Sequence, residues 1–136
     1  MRIRDASGWT IFVFGALAVA LGLYGLIRPE NLLALLGFEI IERSARAEAD
    51  FTITFMIASS MASFNMGVYY ILAALNNIKA FYRWTVPFRI VTLTVFTAAV
   101  VMHLAPTRFL GVAIWEGLGA AATGLALRLD RLIQRK

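Results

Sequence analysis

Residues 9–27 read WTIFVFGALAVALGLYGLI, a stretch without a single charged side chain. A helix that crosses the roughly 30 Å hydrocarbon core of a bilayer needs about 20 predominantly apolar residues. The stretch meets that length, and Arg28 and Pro29 follow it at once, where proline disfavours a continued helix. The apolar run is long for a signal peptide and no small-x-small cleavage site follows it, so we interpret it as a first transmembrane helix.

Three more apolar runs of similar length follow it along the chain. They cover residues 50–75, 81–104 and 108–127. The links between the second and third runs and between the third and fourth runs are short, which makes consecutive helices antiparallel neighbours. Residues 30–38 are too few to cross the membrane, and Pro29 suits the first turn of a short interfacial helix. The sequence therefore predicts one all-α domain over residues 1–136, a four-transmembrane-helix antiparallel bundle with an interfacial helix between helices 1 and 2.

The composition agrees with a membrane protein. Of the 136 residues, 60% are hydrophobic and 15% are charged, whereas a soluble domain has roughly 45–50% and about 25%. The chain has no cysteine, which excludes disulfides, thiolate metal sites and cysteine nucleophiles. The net charge of +5 is explained by basic residues at the membrane edges, so we expect membrane lipids and not nucleic acid as partners.

The distribution of lysine and arginine predicts the orientation. If the N-terminus is inside, the inner side holds Arg2, Arg4, Lys79, Arg83, Arg128, Arg131, Arg135 and Lys136. The outer side then holds Arg28, Arg43, Arg46 and Arg108. Because cytoplasmic loops carry the excess of basic residues, we predict a multi-pass protein of the bacterial inner (plasma) membrane with both termini cytoplasmic.

Charged residues within the predicted spans are costly to insert and are therefore candidates for function. At 1.5 Å per residue, Glu116 lies roughly 12 Å from the outer face and Arg89 roughly 10 Å from the inner face. In a core about 30 Å thick, extended side chains bridge the remaining difference in depth. We therefore predict an Arg89–Glu116 pair, with Glu116 as a general acid and Arg89 as its electrostatic partner.

Other side chains complete the predicted site. Asp50 is a further catalytic candidate, and the predicted ligand-binding residues are Asn65, Tyr69, His103, Thr92 and Trp115. Each has a plainer interpretation. The Arg89–Glu116 pair can simply fix helix register, Asp50 can be a cap-region carboxylate beside Arg46, and His103 an interface residue. We predict no cofactor and no metal, since Asp50, His103 and Glu116 match metal ligands by type but show no motif.

Small residues at four-residue spacing, such as Ala18 and Gly22 or Ser59 and Ser63, indicate close approach of helices. Packing within the bundle is the plainer interpretation. The alternative is a homo-oligomer formed through Gly15, Gly22 and Gly25 of the first span.

The segment Arg43-Ser-Ala-Arg-Ala-Glu-Ala-Asp50 places an Arg/acidic stretch at the entry to the second span, and a run of small residues follows. In this segment and in its layout, the chain resembles the DoxX-like small bacterial membrane proteins. The resemblance implies a four-span bundle of this length and a class, not a particular reaction.

Three functions remain open. The first is an accessory, assembly or scaffold component of a larger membrane complex, because no catalytic motif is present. The second is an enzyme or binding protein for a lipophilic small molecule, with isomerase- or cyclase-like acid–base chemistry at Glu116. The third is a proton-coupled transporter, for which the spans supply few carboxylates.

Overall fold

The computed structural model describes residue 3 and residues 5–133, and this part of the chain is helical without strands. The α-helices are α1 (Ala6–Ile27), α2 (Pro29–Leu35), α3 (Thr52–Leu75), α4 (Lys79–Val101) and α5 (Leu110–Ile133). Helices α1, α3, α4 and α5 are long and apolar enough to cross a membrane. The predicted all-α bundle with four spans and a short helix between the first two is confirmed.

The ends of the helices differ from the predicted ends by a few residues. Helix α5 continues to Ile133, well past the predicted end at Leu127, because Arg128 and Arg131 are good helix formers that extend the helix beyond its apolar part. Helix α1 begins at Ala6, where the Asp5 carboxylate accepts a hydrogen bond from the Gly8 amide at 2.8 Å. These extensions lie at helix ends and leave the predicted spans intact.

Glycines of α1 pack directly against α3. A Cβ at Gly15 would lie 2.8 Å from the Gly67 carbonyl oxygen, and one at Gly22 would lie 2.6 Å from the Phe64 amide nitrogen. Only glycine allows the two backbones to approach so closely. The glycine face proposed for a homo-oligomer is therefore filled by α3 of the same chain, and the plainer prediction of packing within the bundle is correct.

The four long helices are packed as two pairs. Helix α1 lies along α3, α4 lies along α5, and α1 also contacts α5, whereas α3 and α4 touch each other little. Close to their link, the Tyr82 hydroxyl donates to the Ala73 carbonyl at 3.2 Å, and the rings of Tyr70 and Phe81 lie 5.1 Å apart. Consecutive helices are thus joined at this end without packing along their length, which leaves a cleft between α3 and α4.

A polar cluster ties three segments together at this same end of the bundle. The Asp130 carboxylate accepts hydrogen bonds from the amides of Ala6 at 3.2 Å and Ser7 at 3.1 Å. Lys79 pairs with Asp5 and lies 3.8 Å from Asp130. Burial opposes ionisation of Asp5, but hydrogen bonds from Lys79 and Gly8 outweigh it, so the pKa of Asp5 is lowered. The cluster places the start of α1, the start of α4 and the end of α5 on one side.

Of the basic residues used to predict orientation, Arg2, Arg4, Arg135 and Lys136 lie outside the described residues.

Candidate functional site

Arg89 of α4 is the most deeply buried charged side chain among the described residues of the bundle, with 2% of its surface exposed. Its guanidinium carbon lies 3.5 Å from the ring centroid of Phe14 and 5.1 Å from that of Tyr70. Both distances suit attraction between a cation and an aromatic face. Gly119 of α5 has no side chain to displace the guanidinium, since a Cβ there would collide with Nη1.

Glu116 of α5 faces Arg89, as predicted, but the pair is loose. The Arg89 Nε atom lies 3.9 Å from Glu116 Oε2, beyond the roughly 2.7–3.2 Å of a hydrogen bond. None of the three guanidinium nitrogens has a hydrogen-bond partner among the described residues. A buried donor without an acceptor costs about 1–3 kcal/mol, and more when it is charged. The site therefore presents several unused donors of a cation.

Arg89 lines a cavity of about 350 Å³ to which all four long helices contribute. Phe14 and Ala18 come from α1 and Glu116 comes from α5, while α3 and α4 form the two sides. Thr92, a predicted ligand-binding residue, lines it together with Arg89. A small molecule fits a space of this size.

The cavity continues into a second hollow of about 260 Å³ between α3 and α4. The two share Met66, Tyr70 and Phe88, of which Met66 and Phe88 are exposed at the rim. Because these helices are long and apolar enough to span a membrane, the rim faces the surface that lipid would cover. The cleft therefore opens sideways, between α3 and α4.

Asn65 and Tyr69 were predicted to bind the ligand and do not line this cleft. Both are exposed, and they lie on the face of α3 opposite Gly67, which packs on α1. The α3 tyrosine in the cleft is Tyr70, one position further along. The position of Tyr70 could have been predicted from the sequence, because Tyr70 shares a helical face with the small residues Ser63 and Gly67.

Trp115 contacts Phe14 and is not among the residues that line the cleft beside Arg89. Its ring stacks on that of Phe14 with centroids 5.1 Å apart. It lines a separate, apolar hollow of about 380 Å³ between α1 and α5. Trp115 therefore buttresses the aromatic support of Arg89 and does not line the cleft that Arg89 borders.

Asp50 and His103 also lie away from the cleft. Asp50 accepts a hydrogen bond from Arg46 at 2.7 Å and one from the Thr52 amide at 2.9 Å, at the start of α3. Hydrogen bonds from Thr52, and then from Arg46, lower the pKa of Asp50. Asp50 therefore has the contacts of the cap-region interpretation, beside Arg46 and away from the cleft. His103 is exposed, with a φ of 58°, just past α4.

The possible metal ligands considered from the sequence are not brought together. Within residues 5–133, no three histidine or acidic side chains are grouped so that they could hold a metal ion.

Comparisons with known proteins do not assign this chain to a family, because no family model, curated protein or solved structure matches it. The resemblance to the DoxX-like group stays a prediction from residues 43–50 and the layout of the spans.

Proposed function

We propose that this protein binds a lipophilic small molecule within the membrane and anchors an oxygen atom of that molecule on Arg89. The observation that carries the proposal is that Arg89 lines the cleft while its three buried guanidinium nitrogens have no acceptor among the described residues. A ligand oxygen would satisfy donors that are otherwise left without a partner.

The charge balance of the site favours a neutral ligand. Arg89 and an ionised Glu116 together carry no net charge, and a low-dielectric site penalises any unpaired charge. A carbonyl oxygen accepts hydrogen bonds from Arg89 without adding charge. A carboxylate ligand would leave one net negative charge unless Glu116 took up a proton, so we favour a neutral, carbonyl-bearing lipophile.

Access to the site supports a ligand that is dissolved in the bilayer. The opening lies between α3 and α4, where Met66 and Phe88 form an apolar rim. A hydrophobic molecule can enter along this path without crossing the polar ends of the bundle. Thr92 and the aromatic rings of Phe14 and Tyr70 then surround the ligand near Arg89.

Two further roles of the same residues follow. If the ligand is a substrate, Arg89 would polarise its carbonyl and Glu116 would exchange a proton with a neighbouring carbon, which is isomerase-like chemistry. If there is no ligand, the protein is an accessory or scaffold component, and the pair only sets the register of α4 against α5.

Proton-coupled transport has less support, because Glu116 is the only carboxylate that lines the described cleft.

We also propose that the protein lies in a bacterial inner membrane with both termini cytoplasmic. Lys79, Arg83, Arg128 and Arg131 lie towards the end of the bundle that holds the Asp5–Lys79–Asp130 cluster. Four basic residues, Arg28, Arg43, Arg46 and Arg108, lie towards the other end, so the excess is due to Arg2, Arg4, Arg135 and Lys136, which precede α1 and follow α5 in the sequence. This excess in the sequence supports a cytoplasmic position for the start of α1 and the end of α5.

Native mass spectrometry after extraction in a mild detergent tests the proposed function. We expect the wild-type protein to carry a discrete lipophilic molecule that is lost at least about 10-fold in Arg89→Leu/Glu116→Leu. The double variant removes both charges at once, so it avoids a single unpaired charge. Gly111→Ala is the matched control, since a Cβ there meets nothing within 4 Å.

The alternatives give different results in the same experiment. Undiminished ligand in the double variant would contradict an anchor at Arg89. A stoichiometric protein partner with no small molecule would favour the accessory role. Glu116→Gln should keep the ligand, and it should lose turnover if the bound molecule is a substrate.

A further inference from the structure

An exposed seam runs along the outer face of α3. It consists of Phe55, Ala58, Ala62, Asn65, Tyr69 and Leu72. The spacing alternates between three and four residues, so these side chains share one face of the helix and could all meet one neighbouring helix. Every residue of the seam is exposed, from 72% for Phe55 to 56% for Tyr69 and 47% for Leu72. The spacing places these residues on one face of α3, and no described helix of this chain covers that face.

Asn65 is the feature of this seam that apolar lipid does not explain. It lies thirteen residues after Thr52 and ten before Leu75, so it stands near the middle of the span. No described residue is hydrogen-bonded to its side-chain amide. An amide left unpaired in hydrocarbon costs several kcal/mol, so a polar side chain at this depth indicates a partner beyond this chain.

We infer that the seam of α3 is the contact between two copies of this protein, with Asn65 paired to Asn65 of the second copy. An amide carries both donors and an acceptor, so two identical amides can bond reciprocally. Two copies inserted with the same orientation hold their Asn65 side chains at the same depth in the membrane. A different protein could pair with Asn65 only if it carried a polar side chain of its own at that depth. Ala58 and Ala62 leave room for close approach on the same face.

The proposed dimer does not rest on the proposed ligand site. The seam lies opposite Gly67 on α3, whereas the cleft is bordered by Ser63, Met66 and Tyr70 of that helix. It also differs from the oligomer predicted from the sequence, which used glycines of α1 that now face α3. A single polar residue in an apolar seam fixes the register of paired helices, and Asn65 has that role here.

Disulfide cross-linking of single-cysteine variants in lipid vesicles tests the dimer, because the native chain has no cysteine. We expect Ala58→Cys, Ala62→Cys and Tyr69→Cys to cross-link to a second copy. These cross-links should persist when the protein-to-lipid ratio is lowered. Val95→Cys of α4 and Leu125→Cys of α5 are matched controls, since both positions are exposed on other helices. Their cross-links should disappear on dilution, because they report random collisions.

A second variant tests the amide itself. Asn65→Leu in the Ala62→Cys background should raise the dissociation constant of the dimer in lipid by about 3- to 30-fold, which is the range for a polar pair between membrane helices. Thr94→Val, an exposed polar change on α4, should leave it unchanged. Equal cross-linking at seam and control positions, a monomer at every dilution, or cross-links only to another protein would each overturn the inference.

Discussion

At the scale of single residues, the decisive feature is the way in which Arg89 is held. Its guanidinium rests on the face of Phe14, and Glu116 stays 3.9 Å from Nε. The aromatic ring stabilises the positive charge, but it does not provide the oxygen acceptors that the N–H donors of a guanidinium need. The result is a buried cation that is fixed in place beside the cleft while its donors have no hydrogen-bond partner among the described residues.

Gly119→Ala tests this arrangement with one methyl group. The new Cβ would collide with Nη1 of Arg89 and lie 3.0 Å from the Phe14 ring, so the guanidinium must leave its position. We expect the amount of co-purified lipophile to fall about 10-fold or more, with helical content unchanged by circular dichroism. Gly111→Ala is again the control, and equal loss in both variants would contradict the specific role of Gly119.

The sequence predicted the Arg89–Glu116 pair because the depths of two charged residues can be estimated from the helix rise alone. It did not predict Phe14 or Tyr70, because a hydrophobic ring under a cation looks like any other core residue in a sequence. Asn65 and Tyr69, which were predicted from the sequence as ligand-binding residues, lie on the opposite face of α3 from Gly67. The sequence shows that both residues lie opposite Gly67 on the helix. It does not show that the Gly67 face points inwards, which is known only from the packing of α3 against α1.

At the scale of helices, the spans were predictable because length and hydropathy depend only on the local sequence. The pairing of the helices was not. Gly15 and Gly22 on α1 indicate a close neighbour, but they do not say which helix it is, and the structure gives α3. The loose contact between α3 and α4 was also hidden, because their short link suggests packing along the whole length. That open contact is what makes the cleft.

The two faces of α3 show how one helix can serve two purposes. Its inner face is built from small residues such as Gly67, which let α1 approach closely. Its outer face keeps a three-four spacing of exposed residues around Asn65. A helix that met only lipid would need no asparagine at mid-span, and this contrast is the basis of the proposed dimer.

At the scale of the whole molecule, the proposed orientation predicts which links a membrane-impermeant thiol reagent reaches in intact cells. Ser44→Cys, between α2 and α3, should be labelled from outside. Ile78→Cys, between α3 and α4, should be labelled only after the cells are permeabilised. Both residues are exposed, so accessibility depends on the side of the membrane. The reverse pattern would contradict cytoplasmic termini.

The whole bundle presents one cation to a cleft that opens towards lipid, and this is the central claim. Nuclear magnetic resonance of the protein labelled with ¹⁵N-arginine tests it most directly, with Arg89→Leu/Glu116→Leu used to assign the Arg89 signals. We predict that Arg89 shows hydrogen-bonded, slowly exchanging guanidinium protons in the protein as purified, and that these protons change when bound lipophile is extracted. Arg89 signals that are identical before and after extraction would contradict the account, because the guanidinium would then be satisfied by the protein alone.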